Sequence, residues 1–114
     1  MPYLNIQTNA PLDAMTGRKL IGAASQLLAE CLGKPERYVM VALAPVAQML
    51  FAGEDAPLAY LEVKSIGLPR KLTADLSKSL CKLLHDILGI APARIYIEFA
   101  DAEADMWGWN GATF

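Results

Sequence analysis

The stretch that decides the fold is LLAECLGKPERYVMV (residues 27–41), because LLHDILGIAPARIYI (residues 83–97) repeats its pattern. When the two are aligned, four positions coincide: Leu27 with Leu83, Leu28 with Leu84, Leu32 with Leu88 and Gly33 with Gly89. After one inserted residue, two further pairs coincide: Pro35 with Pro92 and Arg37 with Arg94. The chain is therefore predicted to be a duplication with a period of about half its length.

Each half is predicted to form a strand, a helix and a second strand. Alternating side chains over residues 3–8 indicate a half-buried strand, and apolar residues at helical spacing over residues 15–32 indicate a helix that Gly33 ends. The continuous apolar run at residues 38–44 is typical of a strand covered on both faces. The second half follows the same order: a strand at 58–66, a helix from the candidate N-cap Thr73 to Gly89, and a strand at 94–99.

These elements predict the α+β fold class, with a duplicated β-α-β protomer that has a four-stranded mixed sheet and two helices on one face. The 114 residues form one domain, with repeats at roughly 2–56 and 57–114. No third helix is available to cover the other face, so we expect sister subunits to cover it. The short segments QMLF (residues 48–51) and WGWNGATF (residues 107–114) are candidate edge strands that pair across the subunit boundary.

The composition limits the classes of function. Hydrophobic residues make up 54% and charged residues 19% of the chain, against typical values of about 45–50% and about 25%. A domain this small cannot hide that much apolar material alone, so we expect an oligomer. The net charge of -2 and the absence of a Lys/Arg-rich run argue against nucleic-acid binding. No apolar run is long enough to span a membrane and no signal-peptide pattern opens the chain, so we expect a cytoplasmic protein without membrane association.

The cysteines and the histidine give no metal-binding or redox pattern. Cys31 and Cys81 both fall within helical apolar patterns and are interpreted as buried small hydrophobic residues. His85 is the single histidine and lies near the end of a predicted helix, where a cation suits the helix dipole. We therefore expect no cofactor and no metal.

Pro2 follows the initiator Met1 directly. A residue this small in second position favours removal of the methionine, which leaves a secondary amine at the head of the mature chain. An α-amine has an ordinary pKa of about 7.7–8.0, so it is a potential base. The alternative is structural, because proline is tolerated as the first residue of a strand, where no hydrogen-bond donor is needed.

Candidate ligand contacts occur in both halves. Lys34, on a constrained turn after the first helix, is either a fixed charge for an anionic ligand or a solvated lysine. Together with burial, its charge would lower the pKa of the Pro2 amine. The strand end KSIG offers backbone N–H groups at Ile66 or forms a simple turn. Tyr96 and Glu98 share one face of a strand, where Tyr96 either donates a hydrogen bond into a pocket or fills a half-buried site.

Taken together, these motifs resemble the macrophage migration inhibitory factor family of tautomerases over essentially the full chain. The matching pieces occur in order: MP (1–2), TNAP (8–11), GKPERYVMV (33–41), FAGEDAPLAYLEVKSIG (51–67), LGIAPARIYIEF (88–99) and GWNGATF (108–114). The resemblance implies a homotrimer with sites at the subunit interfaces. It also implies an isomerase, namely a keto–enol tautomerase that acts on phenylpyruvate-like α-keto acids. Dopachrome esters are further candidate substrates.

The resemblance also implies roles for individual residues. Pro2 resembles the catalytic base, Lys34 the carboxylate-binding lysine, and Ser65 with Ile66 the backbone contact. The aromatic lining corresponds to Tyr38, Tyr96, Trp109 and Phe114, with Tyr96 contributed by the neighbouring subunit.

The sequence departs from the family pattern at two places. Glu98 stands where the animal proteins carry an asparagine, and its charge would repel an acid substrate or hold Pro2 protonated. Leu58 and Leu61 stand at the positions of the animal Cys-x-x-Cys motif, so thiol–disulfide chemistry is not expected.

Two other functions stay open at this point. The first is a cytokine-like or protein-interaction module with a weak or vestigial tautomerase pocket, which the apolar composition and Glu98 would suit. The second is a ferredoxin-like ligand-sensing domain, which shares the duplicated β-α-β order but gives no reason for Pro2. The physiological substrate depends on loops such as DAEADMW (residues 101–107), whose acidic residues we interpret as a solvated rim.

Overall fold

The computed structural model describes residues 1–114 and contains two helices and six strands. The strands are β1 (Tyr3–Thr8), β2 (Met40–Pro45), β3 (Ala59–Ile66), β4 (Ile95–Ala102), β5 (Gly108–Trp109) and β6 (Ala112–Thr113), and the helices are α1 (Ala14–Leu32) and α2 (Thr73–Leu88). The main sheet has the order β2-β1-β3-β4, with β1 parallel to β2, β3 parallel to β4, and β1 antiparallel to β3. The predicted α+β fold, with a mixed four-stranded sheet and two helices, is confirmed.

The core lies between one face of the sheet and the two helices. Each helix buries every fourth residue along one stripe: Leu20, Ala24 and Leu28 in α1, and Leu76, Leu80 and Leu84 in α2. The sheet contributes the fully buried Leu4, Ile6, Leu61 and Val63. Because side chains alternate along a strand, the opposite face carries polar, half-buried residues, among them Tyr3, Asn5 and Gln7.

Both helices end at the predicted glycines. Gly33 has φ 62° and Gly89 has φ 70°, a left-handed conformation that glycine adopts without steric cost. The predicted N-cap of α2 is wrong by one residue, since Leu72 is the cap and Thr73 is already helical. A 3₁₀ turn at Arg70–Leu72 leads directly into the helix, and the Thr73 hydroxyl donates to the Arg70 carbonyl at 2.9 Å.

The two halves correspond without the inserted residue. The 3₁₀ turns Glu36–Tyr38 and Pro92–Arg94 follow the two helix-ending glycines at the same distance along the chain. Tyr38 therefore corresponds to Arg94, and the predicted pairing of Arg37 with Arg94 is wrong. The shared proline and arginine favour the inserted residue in a sequence alignment, whereas the backbone keeps equal spacing from the helix ends.

Some local features differ from the predictions. β2 lies at the edge of the sheet and is half-buried or exposed, because only β1 pairs with it. Cys31 is exposed, since the buried stripe of α1 ends at Leu28. In the single chain, residues 48–51 form no regular strand and Phe51 makes only an isolated bridge with Glu54; pairing of this segment across a subunit boundary stays a prediction. No helix combines the length and the hydropathy needed to cross a bilayer.

Arg94 holds the loop that precedes β3. Its guanidinium donates to four backbone carbonyls: Nε to Pro57 at 3.1 Å, Nη1 to Phe51 at 3.3 Å, and Nη2 to Glu54 and Ala56, both at 3.1 Å. The guanidinium carbon also lies 5.4 Å from the centroid of the Phe51 ring, and that ring lies 4.6 Å from the Tyr96 ring. One side chain therefore fixes both the loop and the aromatic pair at its start.

Arg94→Ala is expected to lower the free energy of unfolding by about 2 kcal/mol, because charge-assisted hydrogen bonds from a half-buried group are lost. Arg94→Lys should recover only part of this loss, since a lysine lacks the planar fork that reaches several carbonyls. Urea unfolding followed by circular dichroism measures the change. Arg18→Ala, at an exposed position of α1, is the control and should change stability by less than about 0.5 kcal/mol. Equal midpoints for the two alanine variants would contradict this role of Arg94.

Candidate active site

A cavity of about 270 Å³ lies where the N-terminus, the Glu36–Tyr38 turn and the C-terminal hairpin meet. Its lining is mainly apolar and aromatic: Met1, Pro2, Tyr3, Arg37, Tyr38, Val39, Met40, Trp107, Gly108, Trp109 and Phe114. The side chains of these residues include no carboxylate, imidazole or thiol. The terminal amine is therefore the one group of the lining whose ordinary pKa is near neutrality.

Pro2 enters the sheet at this cavity. Its carbonyl accepts a hydrogen bond from the Met40 amide at 3.0 Å, one step before Tyr3 pairs with Met40 in the β1–β2 ladder. The Pro2 ring is fully buried. Proline fits because this first position needs no N–H donor. The strand therefore fixes the head of the chain at the cavity, so the structural role of Pro2 does not compete with a chemical one.

Lys34 acts on the amine from the turn that ends α1. The Gly33 amide donates to the Glu30 carbonyl at 3.3 Å and the Lys34 amide donates to the Ala29 carbonyl at 3.0 Å, which fixes the backbone of the turn. Burial first, and the positive charge of Lys34 second, lower the pKa of the Met1 amine below its ordinary value of 8.0. Lys34 itself is not part of the cavity lining.

Three aromatic rings form one wall of the cavity. Trp109 and Phe114 stack with ring centroids 5.2 Å apart, and the Tyr38 ring meets both edge-on, at 5.7 Å and 5.9 Å. β5 and β6 form a hairpin that presents two of these rings, and its two turn residues, Asn110 and Gly111, have φ of 53° and 75°. Asn-Gly favours such a turn because both residues tolerate positive φ. The wall offers a planar apolar surface to a ligand.

The other predicted contact residues lie outside this cavity in the single chain. Ser65 is buried and its hydroxyl donates to the Ile66 carbonyl at 3.4 Å. Tyr96 and Glu98 share the sheet face away from the helices, as predicted, and are exposed, Tyr96 to 65%. The structure therefore brings together Pro2 and three of the aromatic residues, while Ser65, Ile66, Tyr96 and Glu98 are not among them.

The cavity also contains residues that were not predicted. Arg37 lies within the motif GKPERYVMV, but the sequence indicates it only as part of the repeat, and contacts at Trp107 and Met40 are not among the predictions. A turn of three residues has no periodicity that indicates which way Arg37 points. For Trp107, the repeated tryptophan in WGW was a usable signal, because both rings reach the same cavity.

Two other concave regions were compared with this cavity. A larger open cleft of about 750 Å³ is lined by Asn9, residues 47–50 and Asp55, and it lies away from the terminal amine. A hollow of about 350 Å³ is lined by residues 49–52, Leu58, Ala59, Tyr60 and Tyr96. This hollow has the same place in the second half of the chain as the candidate site has in the first half. The reason is that Tyr60 of β3 pairs with Tyr96 of β4 as Tyr3 of β1 pairs with Met40 of β2. Neither contains an amine, so we place the candidate active site at Pro2.

The whole chain, residues 1–114, matches the model of the family described as macrophage migration inhibitory factor. A macrophage migration inhibitory factor homolog of Brugia malayi is 40% identical over 115 residues, covering 100% of this chain and 99% of that protein. The macrophage migration inhibitory factor of Mus musculus is 38% identical with the same coverage. The crystal structure of the homologue from Prochlorococcus marinus superposes with a TM-score of 0.92 at 45% identity, covering 98% of each chain. This chain therefore belongs to the macrophage migration inhibitory factor family of the tautomerase superfamily, a membership that supports isomerase chemistry of the tautomerase kind.

Proposed function

We propose that this protein is a keto–enol tautomerase that acts on phenylpyruvate-like α-keto acids, with Pro2 as the base after removal of Met1. The observation that carries the proposal is the lowered pKa of the Met1 amine, the present terminal amine, at an aromatic cavity whose lining has no other base near neutrality. While Met1 is attached, the Pro2 nitrogen is a tertiary amide and accepts no proton. Removal of Met1 transfers the amine to Pro2 and frees the space that the Met1 side chain occupies.

The reaction is a balanced proton transfer. The Pro2 nitrogen takes a proton from the carbon next to the ketone, the electron pair of that C–H bond forms the C=C bond, and the C=O π pair moves to oxygen. The protonated Pro2 nitrogen then returns a proton to this oxygen, which gives the enol and restores the base. The reverse sequence returns the keto acid. A positioned base of suitable pKa contributes about 10² to 10⁴ in rate. No oxidant, reductant or cofactor enters this balance.

The remaining residues bind and orient the substrate in this proposal. Lys34 binds the carboxylate, and the backbone at Ser65 and Ile66 contacts a substrate oxygen. The wall of Tyr38, Trp109 and Phe114 packs against the planar body of the substrate and excludes water. Tyr96 of a neighbouring subunit supports the enolate oxygen.

The proposal includes a homotrimer whose sites lie at the subunit interfaces. Exposed apolar side chains support such an assembly, since Leu50 is 70% and Met106 is 79% exposed in the single chain. The exposed Tyr96 and Glu98 are then available to a neighbouring subunit. Sedimentation equilibrium of the purified protein tests the trimer. The Glu98 carboxylate would lie at the shared site, where it tunes the affinity for an anionic substrate.

Lys34→Ala tests the proposal through both of the roles given to Lys34. The charge of Lys34 lowers the pKa of the Met1 amine, and in this proposal it acts in the same way on the Pro2 amine that replaces it. Only the unprotonated amine is a base, so the acidic limb of the kcat/KM profile should move to higher pH in the variant. KM for phenylpyruvate should rise about tenfold, because the partner of the substrate carboxylate is lost. Ultraviolet measurement of enol-to-keto conversion between about pH 5 and pH 8 records both changes.

Lys19→Ala is the matched control, because Lys19 is an exposed lysine on α1. This variant should change neither the acidic limb of the kcat/KM profile nor KM for phenylpyruvate. A Lys34→Ala enzyme with an unchanged pH profile and an unchanged KM would contradict the role of Lys34.

The second candidate function is a protein-interaction module with a weak pocket. The exposed apolar side chains favour it, because they would also suit contacts with other proteins. Two properties of the purified protein distinguish the two candidate functions: whether Met1 has been removed and whether α-keto acids are turned over. A purified trimer that retains Met1 and turns over none of several α-keto acids would support the interaction module.

A further inference from the structure

Arg37 is a charged residue of the cavity to which the proposed reaction gives no role. It belongs to the Glu36–Tyr38 turn and lines the cavity together with Pro2. Its guanidinium carbon lies 4.9 Å from the centroid of the Tyr38 ring. Tyr38 in turn meets Trp109 and Phe114 edge-on. The positive charge therefore lies directly beside the aromatic wall.

The donors of Arg37 have no partner within the chain. The three ion pairs of the structure join Lys64 to Glu62, Lys82 to Asp86 and His85 to Asp86. Arg94 shows the opposite arrangement, because its guanidinium donates to four carbonyls. A guanidinium has five N–H donors in a planar fork that matches a carboxylate. Arg37 is exposed and thus presents a carboxylate-binding group at the cavity that makes no hydrogen bond or ion pair within the chain.

The local charge is opposite to that of the whole chain. The protein has a net charge of -2, yet the side chains of the cavity lining include Arg37 and no carboxylate, and Lys34 acts on the Met1 amine from the adjacent turn. A phenylpyruvate-like acid has one carboxylate, which the proposed function places on Lys34. Arg37, which lines the cavity, is therefore a cation beyond the one that a monoanionic substrate needs.

We propose that Arg37 binds a second anionic group of the substrate, so that the enzyme prefers planar α-keto acids with a further carboxylate at the end remote from the keto acid. This inference rests on the proposed function, because it takes Lys34 as the partner of the first carboxylate. The aromatic wall packs against the planar body of the substrate, and Arg37 lies beside this wall. A guanidinium–carboxylate pair of two parallel hydrogen bonds fixes the length and the orientation of the substrate.

The experiment compares phenylpyruvate with 4-carboxyphenylpyruvate, which differ by one carboxylate. Wild type should have the higher kcat/KM for the diacid. Arg37→Gln should reduce the ratio of kcat/KM for the diacid to kcat/KM for phenylpyruvate about tenfold, which is the size expected for the loss of one charge-assisted pair. Most of this change should be an increase in KM for the diacid. Arg37→Lys should restore part of the preference. Arg18→Gln removes an equal charge from an exposed position of α1 and should leave the ratio unchanged.

Three results would overturn the inference. The first is a ratio that Arg37→Gln leaves unchanged while phenylpyruvate is still turned over. The second is a wild type that prefers the monoacid. The third is a loss of trimer stability that is equal in the Arg37→Gln and Glu98→Gln variants. Arg37 would then pair with the Glu98 carboxylate of a neighbouring subunit and not with the substrate.

Binding separates this inference from the proposed function. Quenching of Trp107 and Trp109 fluorescence reports both acids at equilibrium without turnover. If wild type turns over neither acid, the proposed function fails. Tighter binding of the diacid that Arg37→Gln abolishes would still support the role of Arg37, and equal binding of the two acids would end it.

Discussion

Pro2→Gly is expected to reduce kcat/KM for phenylpyruvate about 10²-fold or more. Glycine also permits removal of Met1 and keeps a terminal amine, but it lacks the pyrrolidine ring that is fully buried at the start of β1. Without the packed ring, the nitrogen is no longer held at the cavity. The measurement is ultraviolet enol-to-keto conversion by the processed proteins, whose N-terminal residue is established by mass spectrometry.

A chain with one alanine inserted between Met1 and Pro2 makes this test sharper. After processing, its Pro2 nitrogen is an amide, whose lone pair is delocalised into the carbonyl, so the loss should reach the full range of about 10² to 10⁴. Pro11→Gly, at an exposed loop position, is the matched control and should retain wild-type rates. If the Pro2→Gly enzyme and the extended chain are both as active as wild type, Pro2 is not the base.

Leu80→Ala is expected to lower the free energy of unfolding by about 2–5 kcal/mol. Leu80 is 0% exposed and lies in the centre of the α2 stripe that packs on the sheet. Removing its branched side chain loses the transfer free energy of the buried methyl groups and leaves a cavity that close packing cannot fill. Urea unfolding at a fixed chain concentration measures the change, since mass action makes the stability of an oligomer depend on concentration.

Lys78→Ala is the control for this prediction, because Lys78 lies two positions away on the exposed side of the same helix. Its effect should stay within about 0.5 kcal/mol. If both variants unfold at the same urea concentration, the packing assigned to α2 would be contradicted.

The main elements could be predicted from the sequence because their signals are local and repeated. Alternation over residues 3–8, leucines at helical spacing and the glycines that end both helices each follow from backbone geometry. Both β1 and β3 lie at the centre of the sheet, as the duplicated order suggests. The correspondence of the halves could not be predicted as well, because the matching Pro35 and Pro92 favoured an inserted residue that the backbone does not contain.

The candidate site was only partly predictable, for a different physical reason. Pro2, Tyr38, Trp109 and Phe114 come from three distant segments, and the resemblance to the family grouped them before the fold did. Arg37 was missed because the direction of a side chain on a short turn depends on its neighbours, here the Tyr38 ring. The surroundings of Tyr96 and Glu98 in the proposed trimer depend on a second chain, which one sequence does not describe.

The hollow lined by Ala59 and Tyr60 has the same place in the second half as the cavity at Pro2 has in the first. The Ala59 nitrogen belongs to an internal peptide bond, and it is not basic at any physiological pH. The second half therefore has a hollow at the equivalent place without the amine that we propose as the base, because a polypeptide has only one first residue. A circularly permuted chain that opened at Ala59 and joined the present ends would exchange the chemical character of the two hollows while each kept its walls.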